Sequence, residues 1–381
     1  MRLWFHQQVL EPERFSPEAS PDSGSGFRNH VARFLDFWYS DQPYWEAQTS
    51  GSTSEPKKIL ISRTRMLASA QATLDYFQWK PNSHGLVLCL SPLHVGGFMV
   101  LVRALLGNLD LLLLEPSLLP FPQSGLPGGL SWFASLVPAQ LHTLLSQNHP
   151  EQFCKHLDGI LIGGADLSPE TIPAITNLPC SVYQTYGMTE TVSHIALRKI
   201  HPNILPISKI PYQTLPGVRI RTSGEGQLQI QAPVTENQWI STKDQVEMEN
   251  ESSFFFRTRT DRFINTGGIK ADPVAIRNSL LENQNLPFRD LEVTGLPHPK
   301  WGQQIVAVIF GAPPPDPLQA KEAFSLALQE ETNPNSRRSF PGKVFYLPLK
   351  PLTTSGKTDF PEIQRSIQNL SPLWERDKTD L

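Results

Sequence analysis

The chain has 381 residues, with 33 basic against 36 acidic side chains, so its net charge of −3 makes no electrostatic case for nucleic acid or a membrane surface as partner. Hydrophobic residues at 39% and charged residues at 18% exclude a disordered chain, and the length suits two or three domains. Three cysteines, Cys89, Cys154 and Cys180, make an odd count without a CxxC pair, which points to a reducing compartment and no disulfide framework.

In chain order, residues 1–48 are polar and aromatic. Gln7, Gln8 and Glu11 stand where a signal peptide needs its apolar stretch. Residues 16–26 read as loop and Phe27 to Tyr39 as helix. A Gly/Ser/Thr cluster, Thr49 to Ser54, runs into Pro56, Lys57 and Lys58, and Ile59 to Ile61 form a short strand. Ser62 is an acceptable N-cap for a helix whose apolar residues, Met66, Leu67, Ala70, Leu74 and Phe77, keep helical spacing. Leu86 to Leu90 and Leu111 to Leu114 read as buried strands, and Ser135 to Leu145 as helix. The longest apolar run, Phe98 to Leu114, is interrupted by Arg103, Asn108 and Asp110 and makes a poor membrane span. Ile160 to Ile162 is a strand entering Gly163 and Gly164, and Ser168-Pro169 opens the next helix. This alternation predicts an α/β fold with a doubly wound, mostly parallel sheet. After about residue 215 the pattern becomes antiparallel, with Val218 to Ile220 and Leu228 to Ile230 alternating. A smaller α+β segment begins near Asp261, where Asp272-Pro273 caps a helix to about Glu282 and Ile305 to Phe310 is a strand. The expected domains are 1–260 and 261–381.

Two segments could carry chemistry. Thr49 to Lys58 has small residues that let a backbone approach an anion, hydroxyls that donate hydrogen bonds, and lysine charge. It lacks the Gly-Lys-Ser/Thr ending of a Walker loop, and composition alone leaves a surface turn equally open. Tyr183 to Thr191 offers aromatic rings, a glycine, hydroxyls and a carboxylate that could stack a base and hold a metal-bound phosphate, or could be a strand end and turn. Zinc spacing and the serine-hydrolase elbow are both missing. His94, in the run Ser91 to Gly97, is either a pocket residue or a structural histidine.

In order, these segments resemble the motifs of the adenylate-forming superfamily of acyl- and aryl-CoA ligases, adenylation domains and luciferases. Thr49 to Lys57 is similar to its phosphate loop, Gly163-Gly164-Ala165 to its GGA segment, and Tyr186 to Thr191 to its YGMTET motif. Thr242-Lys243-Asp244 stands at the TGD position, Arg259 to Pro273 at the hinge and glycine segment, and Pro351 to Lys357 at the catalytic-lysine motif. Ser54, Lys58, Lys243 and Val246 depart from the usual residues, while the aspartate is kept as Asp244. Within the superfamily, three features resemble the o-succinylbenzoate–CoA ligases of menaquinone and phylloquinone synthesis. They are the short region before the phosphate loop, the run Ser135 to Leu141, and the segments Ser91 to Gly97 and Met188 to His194.

The resemblance implies a large N-terminal α/β domain with a small antiparallel β subdomain, and a small mobile C-terminal α+β domain. It implies a carboxylate–CoA ligase that uses ATP, Mg²⁺ and coenzyme A, acting through an acyl-adenylate. Thr49, Ser50, Gly51, Ser52, Thr53 and Lys57 would hold the phosphates, with Gly164, Tyr186 and Gly187 around the adenine, and Asp244 and Arg259 at the ribose. Glu190 would bind Mg²⁺ with Thr189 beside it, Lys357 would be the catalytic lysine, and Asp261 the hinge. His94, Gln140, Gly163, Ser193 and His194 would line the acid site. A soluble cytoplasmic enzyme with small-molecule partners is expected, with a homo-oligomer left open. Two rivals stay open: another aryl-CoA ligase or a carrier-loading adenylation enzyme, and a catalytically silent scaffold relative.

Overall fold

The computed structural model describes residues 1–5, 8–12, 15, 26–48, 58–165, 167, 171–201, 207–282, 286–288, 290–329, 340–353 and 358–375. The chain divides into two compact units, the first built mainly from residues 1–242 and the second mainly from 256–353 and 358–381.

The first unit opens with β1 (Leu3–Phe5), β2 (Gln8–Leu10), α1 (Gly26–Trp38), β3 (Tyr44–Gln48), β4 (Lys58–Ser62) and α2 (Arg63–Phe77). The N-cap expectation holds, since the Ser62 side chain accepts from the Arg65 amide. Then come β5 (His84–Leu88), α3 (Val95–Leu106), β6 (Asp110–Leu113), β7 (Ser131–Leu136), α4 (Pro138–Leu145), α5 (Pro150–Phe153), β8 (Leu157–Ile162), α6 (Thr171–Ala174) and β9 (Ser181–Gly187). The sequence pattern runs Ser135 to Leu145 as a single helix. Ser135 and Leu136 instead end a strand that buries Trp132, Ala134 and Leu136 in alternation, and Pro138 starts the helix at its first turn. Ser168 and Pro169 lie outside the described residues.

Strands β9, β8, β7, β5, β6 and β1 lie side by side in that order and are mutually parallel. From β5 the chain runs outward to β6 on one side and through β7, β8 and β9 on the other, with β1 added beyond β6, which makes a doubly wound sheet with its switch point beside β5. Beyond β9 the pairing turns antiparallel through β10 (His194–Lys199) and β11 (Tyr212–Thr214), and β12 (Arg219–Thr222) pairs antiparallel with β13 (Gln227–Gln231). The apolar run from Phe98 is the buried helix α3 followed by β6, and among the described residues no helix is long and apolar enough to cross a membrane.

Strands β14 (Ile240–Asn250) and β15 (Ser253–Arg259) lead into the second unit, which contains β16 (Ile264–Thr266), β17 (Ile269–Ala271), α7 (Pro273–Glu282), β18 (Leu291–His298), β19 (Gly302–Phe310), α8 (Pro317–Gln329), β20 (Lys343–Leu347), α9 (Phe360–Gln368) and β21 (Trp374–Glu375). Its central strand β19 explains its own sequence. Ile305, Ala307 and Ile309 pack with Leu280 and Phe324 from α7 and α8, while Val306, Val308 and Phe310 pack with Ile363 and Ile367 of α9. A strand covered on both faces needs a continuous apolar run, and this one has it.

Candidate active site

In a doubly wound sheet, ligands bind beyond the carboxyl ends of the strands near the switch point. That is where the described motif residues of the first unit sit. His94 follows β5, Gln140 follows β7, Gly163 and Gly164 follow β8, and Gly187 ends β9 with Met188 to Glu190 after it.

Local chemistry fixes each of these turns. His94 is an exposed residue at the N-cap of α3. Gly97 in the first turn of that helix admits no side chain, because a Cβ there would lie 2.1 Å from the Ser91 carbonyl oxygen. Gln140 is 4% exposed and ties strand ends together. Its oxygen accepts from the Val137 amide, and its nitrogen donates to Cys89 O at 3.1 Å and Ser117 O at 2.9 Å. Both amide hydrogens are thus used within the protein. Cys89 itself is fully buried and its thiol, 3.5 Å from Ser135 O, is pushed up to about 12 by burial. Gly163 donates its amide to Leu136 O, and Gly164 has φ +91°.

The segment after β9 is the most constrained. Tyr186 is 8% exposed, with its ring edge-to-face on Phe254 at 5.1 Å and tilted against Tyr212 at 5.6 Å, so most of it is core. Gly187 pairs with His194, and a Cβ on it would come within 2.3 Å of Ser193 O. Thr189 and Glu190 are exposed. Arg65 donates from Nε to Val234 O at 2.8 Å and from its terminal nitrogen to Glu190 O, which anchors this turn to the start of α2.

Val192, 1% exposed, has φ 61° and ψ −60°, and the Ser193 amide donates back to Thr191 O at 2.6 Å. This is a γ-turn with positive φ on a β-branched residue, an arrangement that costs roughly 1–3 kcal/mol and persists only when its surroundings impose it.

Ser193 and His194 lead to Arg103, which in the sequence stands out as the break in an apolar run. Arg103, in the middle of α3, is 5% exposed. It donates to Ser193 Oγ at 2.9 Å and to Thr73 Oγ1 at 3.2 Å, and Thr73 Oγ1 lies 3.0 Å from His194 Nε2. Among the described residues no carboxylate reaches it. Burial lowers the Arg103 guanidinium to about 9, which leaves it charged at neutral pH. Burial first, then the Arg103 charge, push the His194 imidazole well below its usual range, so His194 is neutral. On α2, one turn before Thr73, the Ser69 hydroxyl is buried and has no hydrogen-bond partner among the described residues. The signal in the sequence was a single arginine amid Phe98 to Leu106, where a charge has no place without a purpose.

The second unit carries a separate cluster. Arg259 donates to Asp244 at 3.1 Å and, through two nitrogens, to Asp261 at 3.0 and 3.1 Å, and Lys243 stands 3.6 Å from Asp261. The Arg259 hydrogen bonds hold the Asp261 carboxyl below the usual carboxylate range. Sequence positions 244, 259 and 261 are therefore one ionic group. Thr49, Ser50, Gly51, Ser52, Thr53, Lys57 and Lys357 lie outside the described residues. On either side of Lys357, Leu352 pairs antiparallel with Thr358, and Lys350 pairs with Glu292 at 2.6 Å.

For Mg²⁺, no group of three or more His, Cys, Asp or Glu side chains comes together among the described residues. Nucleotide-bound Mg²⁺ is held by one or two carboxylates and the substrate's own phosphates, so a single exposed Glu190 fits that ion better than a protein cage would.

Residues 39–229, half of the chain, match the family described as AMP-binding enzyme, and this chain belongs to that family. A probable 2-succinylbenzoate–CoA ligase of Mycobacterium tuberculosis is 29% identical over 297 residues, 73% of this chain and 75% of that protein. The 2-succinylbenzoate–CoA ligase of Enterococcus faecalis is 24% identical over 334 residues, covering 81% of this chain and 66% of its own length. Among solved structures, an AMP-forming acyl-CoA synthetase-like protein of Dyadobacter fermentans matches with TM-score 0.57 and 26% identity over 92% of this chain and 96% of its own. The o-succinylbenzoate CoA synthetase of Bacillus subtilis with its acyl-adenylate matches in fold, with TM-score 0.64 and 18% identity, over 87% of this chain and 69% of its own.

Proposed function

We propose that the chain is an ATP-dependent 2-succinylbenzoate–CoA ligase. The acid attacks the α-phosphate of ATP to give acyl-AMP and pyrophosphate, and the CoA thiol then displaces AMP to give the thioester. Adenylation supplies the leaving group that a free carboxylate lacks. Product and substrate place such an enzyme in menaquinone or phylloquinone synthesis.

The observation that carries the choice of acid is Arg103. Among the described residues this buried cation has only hydroxyl partners and no counter-charge, and burying an uncompensated charge is costly. 2-Succinylbenzoate has one carboxylate to activate and a second on its ring. The second supplies the missing anion, with Ser193 and Thr73 fixing the guanidinium's orientation and neutral His194 in contact with Thr73. His94 after β5 and Gly163 after β8, on either side of β7, would border the acid, and Gln140 would shape the site by tying the end of β5 to the start of α4.

On the nucleotide side, Thr49, Ser50, Gly51, Ser52, Thr53 and Lys57 would hold the β- and γ-phosphates, with Gly164, Tyr186 and Gly187 about the adenine and Asp244 with Arg259 at the ribose. Glu190, with Thr189, would hold Mg²⁺, which neutralises phosphate charge when bound. Lys357 would bridge the acid carboxylate and the α-phosphate, where a preorganised charge acts on the transition state. Residues 1–260 would form the substrate-binding domain and 261–381 a mobile domain turning about Asp261.

Pyrophosphate release over a panel of acids tests this reading. 2-Succinylbenzoate should exceed benzoate, octanoate and 4-phenyl-4-oxobutanoate, which lacks the ring carboxylate, by about 10²-fold in kcat/KM. Comparable values would remove the proposed substrate.

A further inference from the structure

Ser193 and His194 are neighbours, and in an extended strand their side chains would point to opposite faces. Here both reach one network: Ser193 Oγ lies 2.9 Å from Arg103, and His194 Nε2 lies 3.0 Å from the Thr73 hydroxyl that Arg103 also contacts. Two irregularities make this geometry. The γ-turn at Val192 redirects the chain just before Ser193, and the pairing of β9 with β10 shifts register between His194 and Ala196.

What imposes the γ-turn is Thr191, which is fully buried. Its hydroxyl accepts from the Met188 amide at 3.0 Å and lies within donating distance of Met188 O, at 3.0 Å, and of Ser193 O, at 2.8 Å. One hydroxyl therefore clasps the turn on both sides of the strained residue.

We propose that Thr191 is a positioning residue for acid selectivity: its hydroxyl holds the Val192 turn that delivers Ser193 to Arg103 and His194 to Thr73, Arg103's other partner. The inference rests on the reading of Arg103 as the partner of the acid's second carboxylate. It assigns to Thr191 no contact with substrate. The turn also joins Thr189 and Glu190 to Ser193 within five residues, so the same clasp sets the distance between the two halves of the site.

The test compares Thr191→Val, which removes the hydroxyl at nearly constant shape, with Thr191→Ser, which keeps it. Thr191→Val should raise KM for 2-succinylbenzoate about tenfold, with KM for ATP and for 4-phenyl-4-oxobutanoate within about twofold of the parent. Thr191→Ser should restore the parent KM. A merely structural role would lower kcat with the folded fraction and leave this split unmoved. Should Thr191→Val fail to fold, Thr191→Ala, which also removes the hydroxyl but adds no bulk at a buried site, should show the same split. An unchanged KM for the dicarboxylate, or equal rises for both acids, overturns the inference. Arg103→Met separates the two levels. If it leaves discrimination between the two acids intact, the second-carboxylate reading falls. If it abolishes discrimination while Thr191→Val does not, only the role of Thr191 falls.

Discussion

Two arginines in this protein have opposite surroundings. Arg259 meets two carboxylates, Asp244 and Asp261, and keeps 38% of its side chain exposed. Arg103 is 5% exposed and meets Ser193 and Thr73. The first has its counter-charge within the chain, and its geometry is complete without a ligand. The second is charged, dehydrated and orientated, with hydroxyls that set direction but neutralise nothing. On the proposed function, the acid's second carboxylate would supply that missing counter-charge.

The comparison breaks most sharply on stability. Removing Arg259 takes a cation from beside the carboxylate of Asp244, whose side chain is 6% exposed, whereas among the described residues removing Arg103 takes a charge from beside neutral groups. Arg259→Met should therefore cost about 2–3 kcal/mol, below the value for a fully buried pair because Arg259 is partly solvated. Arg103→Met should hold or raise the stability of the ligand-free protein. Denaturant titration of both variants checks this, and losses of equal size would dissolve the distinction.

A pH titration sharpens it next. His194 is kept neutral in the fold by burial and by the Arg103 charge, while in the unfolded chain it takes a proton near pH 6.5. Below that pH the unfolded state binds the extra proton, so stability falls as pH drops, by about 1.4 kcal/mol per pH unit for this one group. His194→Gln should flatten the stability profile between roughly pH 6.5 and 5. An unaltered slope in the variant would mean that His194 titrates normally.

The smallest effect belongs to the exposed side of the Arg259 group. Asp261 has its carboxyl lowered by Arg259, so its contribution is present above the ordinary carboxylate range and lost as pH falls through the lowered value. The group is mostly solvated, and Asp261→Asn should change stability at pH 7 by about 0.2–1 kcal/mol, less in high salt. A loss as large as that of Arg259→Met would show that Asp261, not Asp244, dominates the pairing.

Much of the first unit could be read from the sequence because strand-then-turn segments carry local signals. Ile160 to Ile162 entering two glycines, or Ser62 capping α2, needs no tertiary knowledge. The β7–α4 boundary was misread because Ser135 and Leu136 suit either period over so short a span, and only burial against Trp132's neighbours decides it. Side-chain roles were less legible than elements. Gln140 looks like a pocket residue in the sequence, yet its hydrogen bonds reach Cys89 and Ser117, 51 and 23 residues away. Arg103 was visible as a charge but not as a buried one, since its network joins residues 73, 103 and 193 through three separate elements.

Cys89 offers a further use of this arrangement. The thiol sits at the carboxyl end of β5, beside the switch point, with no exposed surface and its ionisation suppressed to about 12. Thiolate-directed reagents will react with it only when the sheet opens at that place. Its alkylation rate is thus a built-in clock for breathing of the crevice, readable in the native protein without adding a label. Slowing of that clock as acid, nucleotide or both are added would time which substrate closes the strand ends.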